Sequence, residues 1–137
     1  MRALSLKTLL FAVPLACLAA GIMSAQEKAG GDPEAAKLKN PVAASPESVV
    51  AGEAIYRRNC RGCHGKDATG GPAKDAGVAE ASNLVDTTWD HGSTDGEIYF
   101  VIRNGVKPDL VMEPWDDRLS ETDTWNVINF LRSIAKK

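Results

Sequence analysis

The chain has 137 residues, a formal net charge of -2 and 44% hydrophobic residues. That length holds one domain with an accessory segment rather than two domains. No basic stripe is present, so nucleic-acid binding has no electrostatic basis, and no internal repeat is visible.

Residues 1–25 read as an export signal. Arg2 and Lys7 precede an apolar run from Leu9 to Ala20, and small residues follow. The run is short for a bilayer span, which favours a cleaved signal over a retained anchor. Cleavage is expected after Ala25, with Gly21 as the alternative. Lipid modification at Cys17 is disfavoured because Pro14 stands where a leucine-like residue belongs. Of the three cysteines, processing would remove Cys17 and leave Cys60 and Cys63. Of the three methionines it would leave only Met112.

Residues 26–44 are rich in Ala, Gly, Pro and charge, and they lack large apolar side chains. Such a tract reads as a flexible tether. Its last part reads equally well as a short extension lying on the domain.

A domain is expected over 45–137. A helix starts at Ser45 as cap, with Pro46 in the first position. Val49, Gly52 and Tyr56 share one face. Gly52 is costly in a helix unless a second helix crosses tightly over it. The stretch from Gly65 to Leu84 is glycine-rich and long for a connection, as expected of a loop that wraps something. A second helix follows, with Thr94 and Glu97 at capping-box spacing, Gly105 as the stop, and Ile98, Val101 and Ile102 as the buried stripe. An irregular segment carries Met112. The last helix starts at Ser120 with Asp123, and Trp125, Val127, Ile128, Leu131 and Ile134 form its apolar face. No window alternates as a strand does. Three modest helices and this much loop bury too little apolar area without a staple.

"NCRGCHG", residues 59–65, supplies a candidate. A structural zinc site wants four ligands, and the adjacency of Cys63 and His64 is awkward for one metal. A redox dithiol belongs after a strand, and a helix leads in here. Covalent haem fits the spacing. Two thiols about one helical turn apart reach the two vinyl groups on one porphyrin edge, and the next imidazole lies under the iron. A large apolar cofactor bonded at Cys60 and Cys63 would also be the missing staple. His64 is then one iron ligand. Met112, the sole thioether after processing, is the expected second, since His/Met ligation suits electron transfer. His91 is the rival, and an open sixth site is the third option.

The sequence resembles class I c-type cytochromes with one haem. The resemblance covers residues 46–137 and rests on "AGEAIYRRNCRGCHG", "NLVDTTWDHGSTDGEIYFVIRNGV" and "MEPWDDRLSETDTWNVINFLRSI" in that order. It implies an all-α, cytochrome c-like fold, three main helices and long loops wrapped around one covalent haem c. It implies that Gly52 and Tyr56 cross the last helix near Trp125 and Phe130. It implies that Leu84 packs on the haem, that Trp89 lies near a propionate, and that Arg103 and Asn104 support the haem edge. Many relatives carry a proline before the "NL" pair whose carbonyl orients the proximal imidazole. Here the stretch is "EASNL", with Ala81 near that place, so the partner of His64 is unassigned.

The function implied is one-electron transport in the periplasm or another exported compartment, without catalysis. The partners would be redox proteins, a dehydrogenase donor and a terminal oxidase or similar acceptor. A membrane would be met only through a partner or an uncleaved N-terminus. The alternatives are a haem subunit of a larger oxidoreductase complex, or a haem enzyme or gas sensor with an open iron. Arg57, Arg58 and Arg61 around the haem motif, and Asp109, Glu113, Asp116 and Asp117 around Met112, either steer partners or are plain solvated charge.

Overall fold

The computed structural model describes residues 31–71, 80–107 and 111–136. The expected signal at 1–25, the first residues of the expected tether, and Asp109 lie outside them.

Four α-helices follow a short 3-10 turn at Ala35–Lys37: α1 (Pro46–Asn59), α2 (Arg61–His64), α3 (Asp95–Asn104) and α4 (Glu121–Ile134). Among the described residues there is no strand, only an isolated antiparallel bridge between Gly71 and Ala81. Each long helix starts as its sequence dictates. The Ser45 hydroxyl accepts from the Ser48 amide, with Pro46 in the first turn. Thr94 with Glu97, and Ser120 with Asp123, form complete capping boxes, so orphan amides at both starts are satisfied locally.

The core forms where α1 crosses α4. Tyr56, Val127 and Ile128 are almost wholly enclosed, and Thr124 joins them by returning its hydroxyl to the Ser120 carbonyl at 3.0 Å. Gly52 sits at the crossing. A Cβ there would overlap the Asn126 carbonyl oxygen and come within 2.9 Å of Phe130 Cβ. One turn on, the Tyr56 and Phe130 rings meet at 5.3 Å between centroids. The expected crossing is thus made by Asn126 and Phe130. Trp125 faces the other way and stacks on Tyr99 of α3 at 4.1 Å. The expected apolar faces need three adjustments: Ile134 is exposed because α4 ends there, Val101 of the expected α3 stripe is half-buried, and Val49 is half-buried while Ser48 is buried in its stead.

Over its described part the chain before α1 lies on the domain. Ala35 is buried, and its carbonyl lies where a Cβ on Gly96 of α3 would stand. Asn40 Nδ2 donates to Asn129 Oδ1 at 2.9 Å. Asn129 Nδ2 in turn donates to the Val42 and Ala43 carbonyls at 3.1 and 3.3 Å and to Ser48 Oγ at 2.8 Å. Ser48 Oγ donates onward to Asn126 Oδ1 at 2.6 Å. These short polar side chains find buried partners on α4, so the segment is a strap on the domain although it has little apolar area.

Candidate functional site

Cys60 ends α1, donating its amide to the Tyr56 carbonyl at 2.8 Å. Its own carbonyl accepts from the amides of Cys63 and His64 at 3.1 and 3.0 Å. The three side chains therefore project from one tight helical turn. The two thiols differ. Cys60 is half-buried, and burial, helped by the neighbouring Cys63, pushes its thiol up to about 11. Cys63 is exposed. The Tyr56 hydroxyl secures the end of the turn by donating to the Gly65 carbonyl at 2.7 Å. Burial raises that phenol to about 12, so it stays a donor.

His64 Nδ1 donates to the Ser82 carbonyl at 3.0 Å. A carbonyl only accepts, so this bond fixes the proton on Nδ1 and leaves Nε2 as the free nitrogen of the neutral ring. This is the partner that the sequence left unassigned. No proline holds it. The stretch 81–84 is instead pinned against the loop after His64. Ala81 and Gly71 exchange amide bonds at 3.2 and 3.4 Å, and the Leu84 amide donates to the Ala68 carbonyl at 2.8 Å. Gly70, at φ 84°, makes the approach possible, since a Cβ there would stand 2.5 Å from the Ala81 carbonyl oxygen.

Met112 is half-buried in a turn hung on the C-terminus of α3. Its carbonyl accepts from the Val106 amide at 2.9 Å, and the Trp115 amide donates to the Ile102 carbonyl at 3.0 Å. Arg118 lies 4.2 Å above the Trp115 ring and closes the turn from outside.

These parts border one cavity of about 680 Å³. Cys60, Cys63, His64, Met112, Leu84 and Trp89 all line it, with walls from Ile98, Val101 and Ile102 of α3 and Val127 and Leu131 of α4. The size and mostly apolar lining are those of a site for a large organic ligand. The structure thus brings these six expected residues to one space. It adds detail at Trp89 and at three further candidates, His91, Arg103 and Asn104. The Trp89 indole N–H is engaged by the Asp86 carbonyl at 3.2 Å. His91 also borders the cavity, but from an exposed loop. Arg103 and Asn104 do not border it: Arg103 donates to the Leu119 carbonyl just before α4, and Asn104 to the Phe100 carbonyl at 2.9 Å.

Residues 47–131 match the family model described as cytochrome c oxidase, cbb3-type, subunit III. The chain belongs to this family. Among curated members of the cbb3 group, it is 39% identical over 87 residues to the cbb3-type cytochrome c oxidase subunit FixP of Bradyrhizobium sp. (strain ORS 278), covering 64% of this chain and 28% of that one. It is 35% identical over 87 residues to subunit CcoP of Cereibacter sphaeroides, covering 61% of this chain and 27% of that one. The chain thus spans little more than a quarter of these relatives. Among solved structures, cytochrome cL of the marine methylotroph Methylophaga aminisulfidivorans superposes with a TM-score of 0.52 at 22% identity, covering 70% of this chain and 59% of that one. That likeness establishes the all-α fold of a class I c-type cytochrome. No helix among the described residues is long and apolar enough to cross a membrane.

Proposed function

We propose that this cbb3 subunit III family domain is an exported one-electron carrier holding one haem c, bonded through Cys60 and Cys63 and ligated by His64 and Met112. The observation that carries the reading is the convergence of both thiols, the free Nε2 side of His64 and the only thioether among the described residues on one apolar cavity. The donor set fits the group: two thiols for the porphyrin edge, and an imidazole and a thioether for the iron.

When bound, haem supplies an iron that alternates between ferrous and ferric states. The chain supplies the rest. Ser82 fixes the tautomer and plane of His64. Ile98, Ile102, Val127 and Leu131 keep water from the cavity, which limits reorganisation on electron transfer. Cys63, being exposed, brings the attached edge to the surface where a partner can dock. Leu84 and Trp89, which both line the cavity, would hold the ring, Leu84 by packing on it and Trp89 as a wall beside it.

The relatives named as oxidase subunits favour a terminal oxidase as acceptor, either with this chain inside such a complex or with the chain docking on it transiently. A dehydrogenase-type protein is the proposed donor. Expression in a host able to attach haem tests the core of the reading. The expected product is red, retains haem in acidified acetone, and shows a sulfur-to-iron charge-transfer band when ferric. A colourless product with free thiols overturns it. A coloured product without that band, binding carbon monoxide at once, supports an open-iron enzyme or sensor instead.

A further inference from the structure

We propose that residues 32–44 act as a latch that holds α3 against α4 and thereby keeps the Met112 turn closed on the cavity. The inference rests on Met112 being the ligand proposed above.

The strap touches both helices that wall the cavity. On α3 it covers Gly96, where a Cβ would overlap the Ala35 carbonyl oxygen and approach Leu38 Cβ to 2.8 Å. On α4 it is fastened by Asn40, which donates to Asn129 Oδ1 at 2.9 Å and to the Trp125 carbonyl at 3.4 Å. Gly96 shares α3 with Tyr99, and Asn40 bonds the carbonyl of Trp125, whose ring stacks on Tyr99 at 4.1 Å. The strap therefore bridges the seam from outside. A second polar tie crosses at the start of α3, where Arg132 of α4 pairs with Asp95 at 2.7 Å.

The far end of α3 carries Met112. The Ile102 carbonyl holds the Trp115 amide, and Val106 holds the Met112 carbonyl. Freeing the start of α3 lets the helix tilt on its α4 contact and takes the Met112 turn with it. The α1–α4 crossing and the His64 turn make no contact with Gly96 and stay in place. The open form would keep its haem and lose its thioether. Polar bonds of this kind are each worth a few-fold to about tenfold in such an equilibrium.

Two full-chain variants test this. Gly96→Ala adds only a methyl, and helix propensity alone would make it stabilising. Asn40→Ala removes the fastening to α4. In a urea titration of the haem-loaded ferric protein, the wild type should lose its charge-transfer band and its helical signal nearly together. Each variant should lose the band at lower urea than the helical signal, with a roughly tenfold rise in the opened fraction at a given urea concentration. Amide exchange at Ile98–Ile102 should rise by the same factor, while that of α1 does not. This second readout judges the latch even if the wild type shows no band, an outcome that would overturn the Met112 assignment alone. Equal shifts of both curves, or unchanged exchange in α3, overturn the latch.

Discussion

Gly52 of α1 and the backbone of Asn126 of α4 occupy the same narrow gap, and no side chain lies between them. A methyl at Gly52 would overlap the Asn126 carbonyl oxygen. Backbone cannot rotate away as a side chain can, so the helices must part. Gly52→Ala should destabilise by about 1–3 kcal/mol despite the better helix propensity of alanine. Thermal unfolding checks this, with an expected drop of roughly 4–8 °C per kcal/mol for a domain of this size. A rise in melting temperature would mean the crossing is looser than described.

Met112→Ala should leave haem covalently attached and leave the fold in place. The reduction potential should fall sharply, because the thioether favours ferrous iron. Cyanide and carbon monoxide should bind readily. Potentiometry and ligand titration read both effects, and a variant unchanged in both would pass the ligand role to His91 or another group.

Gly70→Ala acts on the His64 ring from a distance, since Gly70 meets His64 only at the backbone, where its amide donates to the His64 carbonyl at 3.0 Å. Gly70 has φ 84°, and a Cβ would lie 2.5 Å from the Ala81 carbonyl oxygen. The stretch carrying Ser82 must shift, and the Nδ1 bond lengthens. With that bond weakened the imidazole is less electron-rich and a poorer donor, so it stabilises ferric iron less, and the potential should rise while haem content stays constant. Haem content by pyridine haemochrome and the midpoint potential separate this from simple misfolding.

The haem-free chain should lose stability in alkali in a way that the loaded chain does not. The Cys60 thiol is raised from 9.0 to about 11 when folded, so the folded state favours its proton. That contribution is complete below pH 9 and is lost as pH rises to about 11. Tyr56, raised from 10.0 to about 12, adds a later loss of the same sign. A thioether at position 60 cannot ionise, so only the later step should remain in the loaded protein. Denaturation midpoints across this range check it. Iodoacetamide should also label exposed Cys63 faster than Cys60 in the haem-free chain.

Much of the site was legible because its spacing carries the chemistry. Cys60, Cys63 and His64 fall on one turn by adjacency alone, and capping residues marked the starts of α1, α3 and α4. Gly52 announced a close crossing and the resemblance put Phe130 near it, but neither pointed to the Asn126 carbonyl, since a backbone carbonyl has no sequence signature. The Ser82 carbonyl was invisible for the same reason: any residue offers one, and what selects it is the pairing of Gly71 with Ala81. The strap was half legible: composition, which counts apolar area, reads as a tether, and an extension lying on the domain is the equal alternative for its last part. Asn40, Asn129 and Ser48 hold it with buried hydrogen bonds instead. Asn129, lying amid the apolar face of α4, was the one available sign.

The α1–α4 crossing has a bearing on the order of assembly. Gly52, Asn126 and Phe130 meet away from the cavity, and α3 and α4 each carry a self-sufficient start. That crossing can form before any pigment arrives, whereas the walls of the apolar cavity have nothing to pack on until it does. The enzymes that stitch sulfur to vinyl would then meet the Cys60–His64 turn on a half-built frame, with α3 and the Met112 segment still to close.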